Sequence, residues 1–290
     1  MPLPRGLPVV DHHCHLSPHG EGVAAARRFR AAGGTHLFLA TQNYRGEVPR
    51  SLDDYAEQFR ATEELAHAVT LATGVIVYPV LAPYPIDLVQ AAPLLGVAGA
   101  LDLQRSALDL AGRWVRERRA VALGEVGRAH FPVPADVGAA IEEAFRHALR
   151  VARESGCPAV VHSEDLDAAG YARVAQLARD VGLAPERVVK HYARARLPAE
   201  ARVGVPPSYL AKRELVREVI EDPAPWFLET DFLDDPKRPG AVLDLATVPR
   251  RAAAVAERGS AEADRLWRPF SESVERVYGF RPAVEEASAR

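Results

Sequence analysis

The stretch "LPVVDHHCHLSPHG", Leu7 to Gly20, holds four of the chain's ten histidines, an aspartate and one of its two cysteines. On a β-strand alternate residues share a face, so Asp11, His13 and His15 lie together while His12 and Cys14 lie opposite. Two imidazoles at i and i+2 at the end of a strand can converge on one metal ion. His12 is then expected to face a helical layer, and His19 to lie in the following loop. An isolated HxH is a common accident, so the reading depends on other ionisable residues. Glu125 closes the run "AVALGEVG", His162 closes "PAVVHS", His191 closes "RVVKH", and Asp231 lies in "WFLETDF". Each follows an apolar run and precedes a loop. Four imidazoles and two carboxylates suit a pair of divalent ions, Zn²⁺ or Mn²⁺ ahead of Mg²⁺, and suit Ca²⁺ poorly. A bridging carboxylate can hold two such ions roughly 3.5–4 Å apart.

These residues need a frame that brings strand ends together. Apolar runs rich in β-branched residues recur: "LPVVDHHCH", "THLFLA", "GVIVYPVLA", "AVALGEVG", "PAVVHS", "RVVKH", "ARVGVPPS" and "WFLETDF". Between them lie amphipathic segments, at 21–32, 52–72, 103–119, 135–154, 166–181 and 211–221. Alternating strands and helices imply parallel pairing with right-handed crossovers. Eight such units in 290 residues favour a closed (β/α)8 TIM barrel, which takes roughly 250 residues, over an open doubly wound sheet. Neither GxGxxG nor GxxxxGK[ST] occurs. Polar residues at the C-terminal rim of a barrel read as catalytic. Gly33 and Gly34 end the first helix, and Ser51 with Asp54 forms a capping box for the second. The reading is one domain over residues 1–290, with further helices at about 250–279 and a frayed end at 280–290.

Composition narrows the classes. The chain is 48% hydrophobic and 26% charged with a net charge of −3, the profile of a globular protein with a large core. No apolar run approaches the ~20 residues of a membrane span, and "MPLPRGLPVV" is too short and proline-rich for a signal peptide, so a cytoplasmic location is expected. Cys14 and Cys157 are read as reduced thiols. The acidic balance argues against extended duplex binding but leaves room for a small substrate or a nucleic-acid end. No obligate protein partner is evident. Scarce thermolabile residues, with a single asparagine and a single methionine, fit a heat-adapted source.

The segments "VVDHHCHL", "LGEVG", "VVHSEDL", "VVKHYA" and "LETDF" resemble, in order and spacing, the TatD family of metal-dependent hydrolases within the amidohydrolase superfamily. The likeness runs from Val9 to about Gly279. "GGTHLFLA", "GEVGRAHFP" and "LETDFLDDPKRPGAV" are most similar to its archaeal TatD-related branch. The resemblance implies that His13 and His15 bind one metal, Glu125 bridges both, and His162 and His191 bind the second. It implies that Asp231 binds the first metal and takes a proton from the nucleophilic water. The bacterial pattern GE-[IV]-G-L-D is broken at Arg128 and Ala129, followed at once by His130, and Ser273 and Val274 replace an asparagine and a proline common near the family's C-terminus.

Arg128 could grip a substrate phosphate or carboxylate bidentately, or pair with a rim carboxylate. Asn43, Tyr44, Arg45 and Arg50, in the loop after the second strand, could position substrate or form a solvated loop. Glu229 and Asp11 read as supports, with Glu229 orienting a ligand histidine or Asp11. Lys190, by parity, should point outward into a salt bridge. His36 is expected to be structural, His67 and His147 to sit on helices, and the roles of Tyr78 and Tyr84 stay open. The leading expectation is phosphodiester hydrolysis, as by a deoxyribonuclease or exonuclease. An ester, lactone or amide hydrolase, deacylase-like, would use the same metals. A non-catalytic binding barrel would need the metal set broken, and all six residues are present.

Overall fold

The structure is a computed structural model and describes residues 2–235, 237–238 and 242–284. Its strands are β1 (Val10–His15), β2 (His36–Ala40), β3 (Ile76–Leu81), β4 (Ala122–Gly127), β5 (Ala159–His162), β6 (Val188–Ala193), β7 (Pro207–Leu210), β8 (Phe227–Glu229) and β9 (Phe232–Leu233). Neighbours pair in parallel in chain order from β1 to β8, and β9 pairs with β1. Strands β8 and β9 are two halves of one strand interrupted at Thr230 and Asp231. The first half joins β7 and the second joins β1, so the ring closes, and the expected barrel is found.

The connecting helices are α1 (Val23–Ala31), α2 (Leu52–Thr73), α3 (Pro85–Arg116), α4 (Ala135–Ser155), α5 (Ala168–Asp180) and α6 (Arg213–Val219). Three more, α7 (Thr247–Ala256), α8 (Ser260–Arg265) and α9 (Ser273–Tyr278), come after β9. The Ser51 box is present: Ser51 Oγ accepts from Asp54 N at 3.2 Å, and Asp54 Oδ2 accepts from Ser51 N at 3.0 Å. Two expectations shift. Helix α3 begins at Pro85, some eighteen residues earlier than its amphipathic pattern showed, because the pattern is interrupted at Gly96 (φ 73°). The seventh strand starts only at Pro207: residues 199–202 form a 3₁₀ turn and Val203 adopts φ 51°. The prolines at 206 and 207 cannot donate to a ladder, which delays the start of the strand.

Helix α3 is also long and apolar enough, by length and composition, to cross a membrane, which corrects the expectation that no such run exists. Here its Leu88, Ala91, Ala100 and Leu101 pack on Val137, Ala140, Ile141 and Ala144 of α4.

Alternation sorts the strand residues. Leu123, Val126, Ala159, Val161 and Val188 face the helical layer with Phe59, Trp114 and Phe145. Val10, Phe38, Val80, Ala122, Val160 and Val189 belong to the other cluster, with Phe227 and Tyr278. Burying each such aromatic or branched side chain contributes about 1.5–3 kcal/mol. Tyr278 and Phe280 plug the N-terminal end: the Phe280 ring packs, tilted, 4.9 Å from Tyr78, whose ring lies 5.1 Å from Phe38. Phe280 is partly buried there; of the end expected to fray, 280–290, residues 285–290 lie outside the described residues.

Candidate metal centre

Parity alone misplaces His12. The pairing of β1 with β2 is irregular between Asp11 and Cys14, and the extra residue keeps both His12 and His13 off the helical side. Cys14 faces that side, among Leu16, Ala25 and Phe29. His12 sits one layer deeper than His13, stacked 4.0 Å from Phe227 and tilted 5.0 Å from Phe38, with Tyr278 Oη 2.7 Å from its Nε2. It faces the barrel core instead of the expected helices, but stays apart from the other histidines. His19 lies exposed in the loop.

The six remaining residues come together. His13 Nε2 and His15 Nε2 stand 2.9 and 3.0 Å from Glu125 Oε1, and 3.2 Å from each other. Asp231 Oδ1 is 3.7 and 3.6 Å from the same two nitrogens. On the other side His162 Nδ1 lies 3.0 Å from Glu125 Oε2 and 3.3 Å from His191 Nε2, which is 3.7 Å from Glu125 Oε1. Irregular pairing between Gly124 and Val126 turns Glu125 toward these histidines.

Donors about 2.1 Å from a tetrahedral ion lie roughly 3.4 Å from one another. Both sets have that spacing, and each contains imidazole nitrogens aimed at one carboxylate. His13 and His15 aim their Nε2 atoms at one spot in a buried space, so the residues fit a pair of divalent ions. Burial alone would raise Glu125, yet the surrounding histidines, His191 and His162 foremost, hold it well below the usual carboxylate range. Burial pushes Asp231 up, against the pull of His13 and His15. Burial drives His191 well below its ordinary value, with His13 adding to the effect; a neutral imidazole is the form that binds metal.

The supports are built into the closure of the barrel. Asp11 accepts from His13 N at 3.2 Å and, through both oxygens, from Thr230 N at 3.1 Å and Thr230 Oγ1 at 2.6 Å. It thus fixes the strand break that carries Asp231, whose N–H donates to His13 O at 3.0 Å. Asp231 adopts φ 50° and Tyr192, beside His191, φ 57°. Such strain persists only where surroundings impose it. Glu229 lies fully buried with Oε1 2.6 Å from Tyr192 N and 3.5 Å from His191 Nδ1, placed to orient that ring.

Other expected residues go elsewhere. Arg128 pairs with Glu142 of α4 and lies over the Phe145 ring, so of its two readings the rim-carboxylate pair is the one observed. Arg45 pairs with Glu57 and Asp54 at the start of α2, Asn43 donates to Glu47 O, and Tyr44 Oη lies 2.8 Å from Thr62 Oγ1; that loop is folded onto α2. Lys190 is buried and donates to the Ser163 and His191 carbonyls, in place of the outward salt bridge parity suggested. His36 is buried beside Thr35, His147 pairs with Asp109 on the surface, and His67 is exposed on α2.

The contacts of three residues escaped the sequence. Tyr84 Oη lies 3.2 Å and His130 Nδ1 2.9 Å from His162 Nε2. Asp234 takes the backbone N–H groups of Ser17, Glu21 and Gly22 at 2.7–2.9 Å, fastening the loop after His15. Only the closeness of His130 to the GE motif could have drawn attention to it.

A profile of the family described as TatD related DNase matches residues 10–279. The chain belongs to that family. An uncharacterized protein of Methanocaldococcus jannaschii is 30% identical over 282 residues, covering 96% of this chain and 98% of its own. A TatD homolog from Escherichia coli superposes with TM-score 0.60 at 19% identity, covering 93% of this chain and 98% of that one. A PTE-like lactonase mutant from Deinococcus radiodurans gives TM-score 0.55 at 16% identity, covering 96% and 97%; that likeness concerns the barrel. TatD membership thus rests on residues 10–279.

Proposed function

We propose that this TatD-family chain is a divalent-metal-dependent phosphodiesterase acting on the ends of single-stranded DNA. The observation that carries the reading is the arrangement of four histidines and Asp231 around the two oxygens of Glu125. His13, His15 and Asp231 would hold one ion, His162 and His191 the other, with Glu125 shared, Zn²⁺ or Mn²⁺ fitting the donors best. Bound there, such ions lower the pKa of water from 15.7 towards ~7 and polarise the phosphoryl oxygen under attack. Asp231 accepts the proton of the attacking water at Oδ1 and returns it to the leaving oxygen, general acid–base work of roughly 10²–10⁴-fold. Asp11 and Glu229 keep Asp231 and His191 in register, and Tyr84 with His130 walls the outer side of His162.

One observation favours a second reading, hydrolysis of an ester, lactone or amide at the same ions. Arg128, read as an anion grip, and Arg45, read as a substrate-positioning residue, are both committed to carboxylates. The deciding experiment digests end-labelled single-stranded DNA with metal-reconstituted protein, beside a Glu125→Gln variant prepared identically. Cleavage lost in the variant supports the phosphodiesterase. Absence of cleavage with ions bound overturns it in favour of carbonyl substrates.

A further inference from the structure

Where the bacterial family pattern has Leu and Asp, this chain has Arg128 and Ala129, and with Arg128 drawn to α4 it is the next residue, His130, that reaches the site. His130 Nδ1 lies 2.9 Å from His162 Nε2, the two rings meeting at 66° with centroids 5.1 Å apart. His162 presents its other nitrogen, Nδ1, to Glu125 Oε2 at 3.0 Å. A neutral imidazole carries one proton. If Nδ1 offers its lone pair inward, Nε2 must carry the proton and needs an acceptor on the outer side. His191 has Glu229 behind it. For His162, Glu125 is the paired carboxylate among the described residues, and it stands on the inward side. Outward acceptors in reach are His130 Nδ1 and, at 3.2 Å, Tyr84 Oη.

We infer that His130 is a positioning residue of the second ion site, its Nδ1 accepting the Nε2–H of His162 so that His162 Nδ1 faces Glu125. The inference rests on the two-ion reading above. A ring held in one tautomer loses no free energy to reorientation when the ion arrives, and such outer partners are worth about 10–100-fold in metal affinity. His130 is exposed, so replacing it disturbs no packing on which folding depends.

The test titrates metal-free protein with Co²⁺, following visible absorption and calorimetric heat, which requires no substrate. Wild type is expected to bind two ions. His130→Ala is expected to weaken the second by about 10–100-fold with the first changed less than about threefold and the melting temperature unaltered. His130→Asn, whose amide oxygen occupies the place of Nδ1, should restore most of the loss, and Tyr84→Phe should leave both sites close to wild type. Second-site binding unchanged in His130→Ala, or lost in Tyr84→Phe instead, overturns the inference while leaving the two-ion reading intact. A wild-type protein that takes up no Co²⁺ brings down both.

Discussion

His12 and His13 are consecutive in one strand, each 1% exposed, and serve opposite ends of the barrel. His12 lies among Phe227, Phe38 and Tyr278, and burial drives it well below the ordinary histidine range, making it a polar piece of core. His13 lies 2.9 Å from Glu125 with His15 and His191 around it. The carboxylates repeat the contrast. Glu125 and Asp87 are both buried, yet Glu125 is held low by histidines whereas Asp87, with hydrogen bonds from Tyr55 and Tyr84 N, is pushed up to about 7 by burial. What distinguishes the site from the core is therefore which charges meet one another, not depth.

Glu125 is where this contrast carries the largest effect. Glu125→Gln should lower hydrolysis by about 10³-fold or more, the loss of several kcal/mol of charge stabilisation, while circular dichroism reports an intact fold. Retained turnover would mean that the six residues are not the working centre.

Asp87→Asn examines the carboxylate on the other side of the contrast. The folded pKa of Asp87, about 7, lies above its unfolded value of 3.8. The native state therefore binds the proton more tightly, and the stability this contributes is full below about pH 4 and lost as pH rises through 7. At pH 8 the wild type should carry a penalty on the order of 4 kcal/mol that the variant lacks. Urea melts at pH 8 and pH 4 should show the gap at the first and none at the second. Equal gaps would place Asp87 in water.

His12→Ala should cost about 2–4 kcal/mol of stability and leave turnover at 25 °C within a few-fold. A loss of turnover without a loss of stability would assign His12 to the site after all. Tyr278→Phe, which strips the partner from His12 Nε2, should cost about 1–3 kcal/mol in the same melts, and no cost would show that this hydrogen bond holds nothing.

The barrel and the meeting of six residues were legible because each strand is a compact apolar run and each ionisable residue comes at the end of one. The orientation of His12 was not, since parity counting assumes an unbroken ladder and the irregularity after Asp11 leaves no mark in residue type. The seventh strand was hidden behind "VGVPP", where apolar content signalled a strand that proline and a positive φ deny. Arg128 illustrates another limit: sequence shows that a guanidinium is near the mouth, but Glu142, fourteen residues on, decides where it points. His130 lies beyond such reasoning because a loop, free of periodicity, delivers it to His162.

The seam between β1 and the β8–β9 break has a consequence for how this protein comes into being. The bond from Thr230 N to Asp11 spans 219 positions, and Asp231 and Asp234 donate to His13 and His15 across the same seam. Loop closure over such separation is slow, so the first strand leaves the ribosome long before its partner exists. A nascent chain that stops short of Asp231 lacks the carboxylate that stands 3.7 and 3.6 Å from His13 and His15. The centre is complete only once a segment 219 positions downstream of Asp11 has folded back onto the first strand.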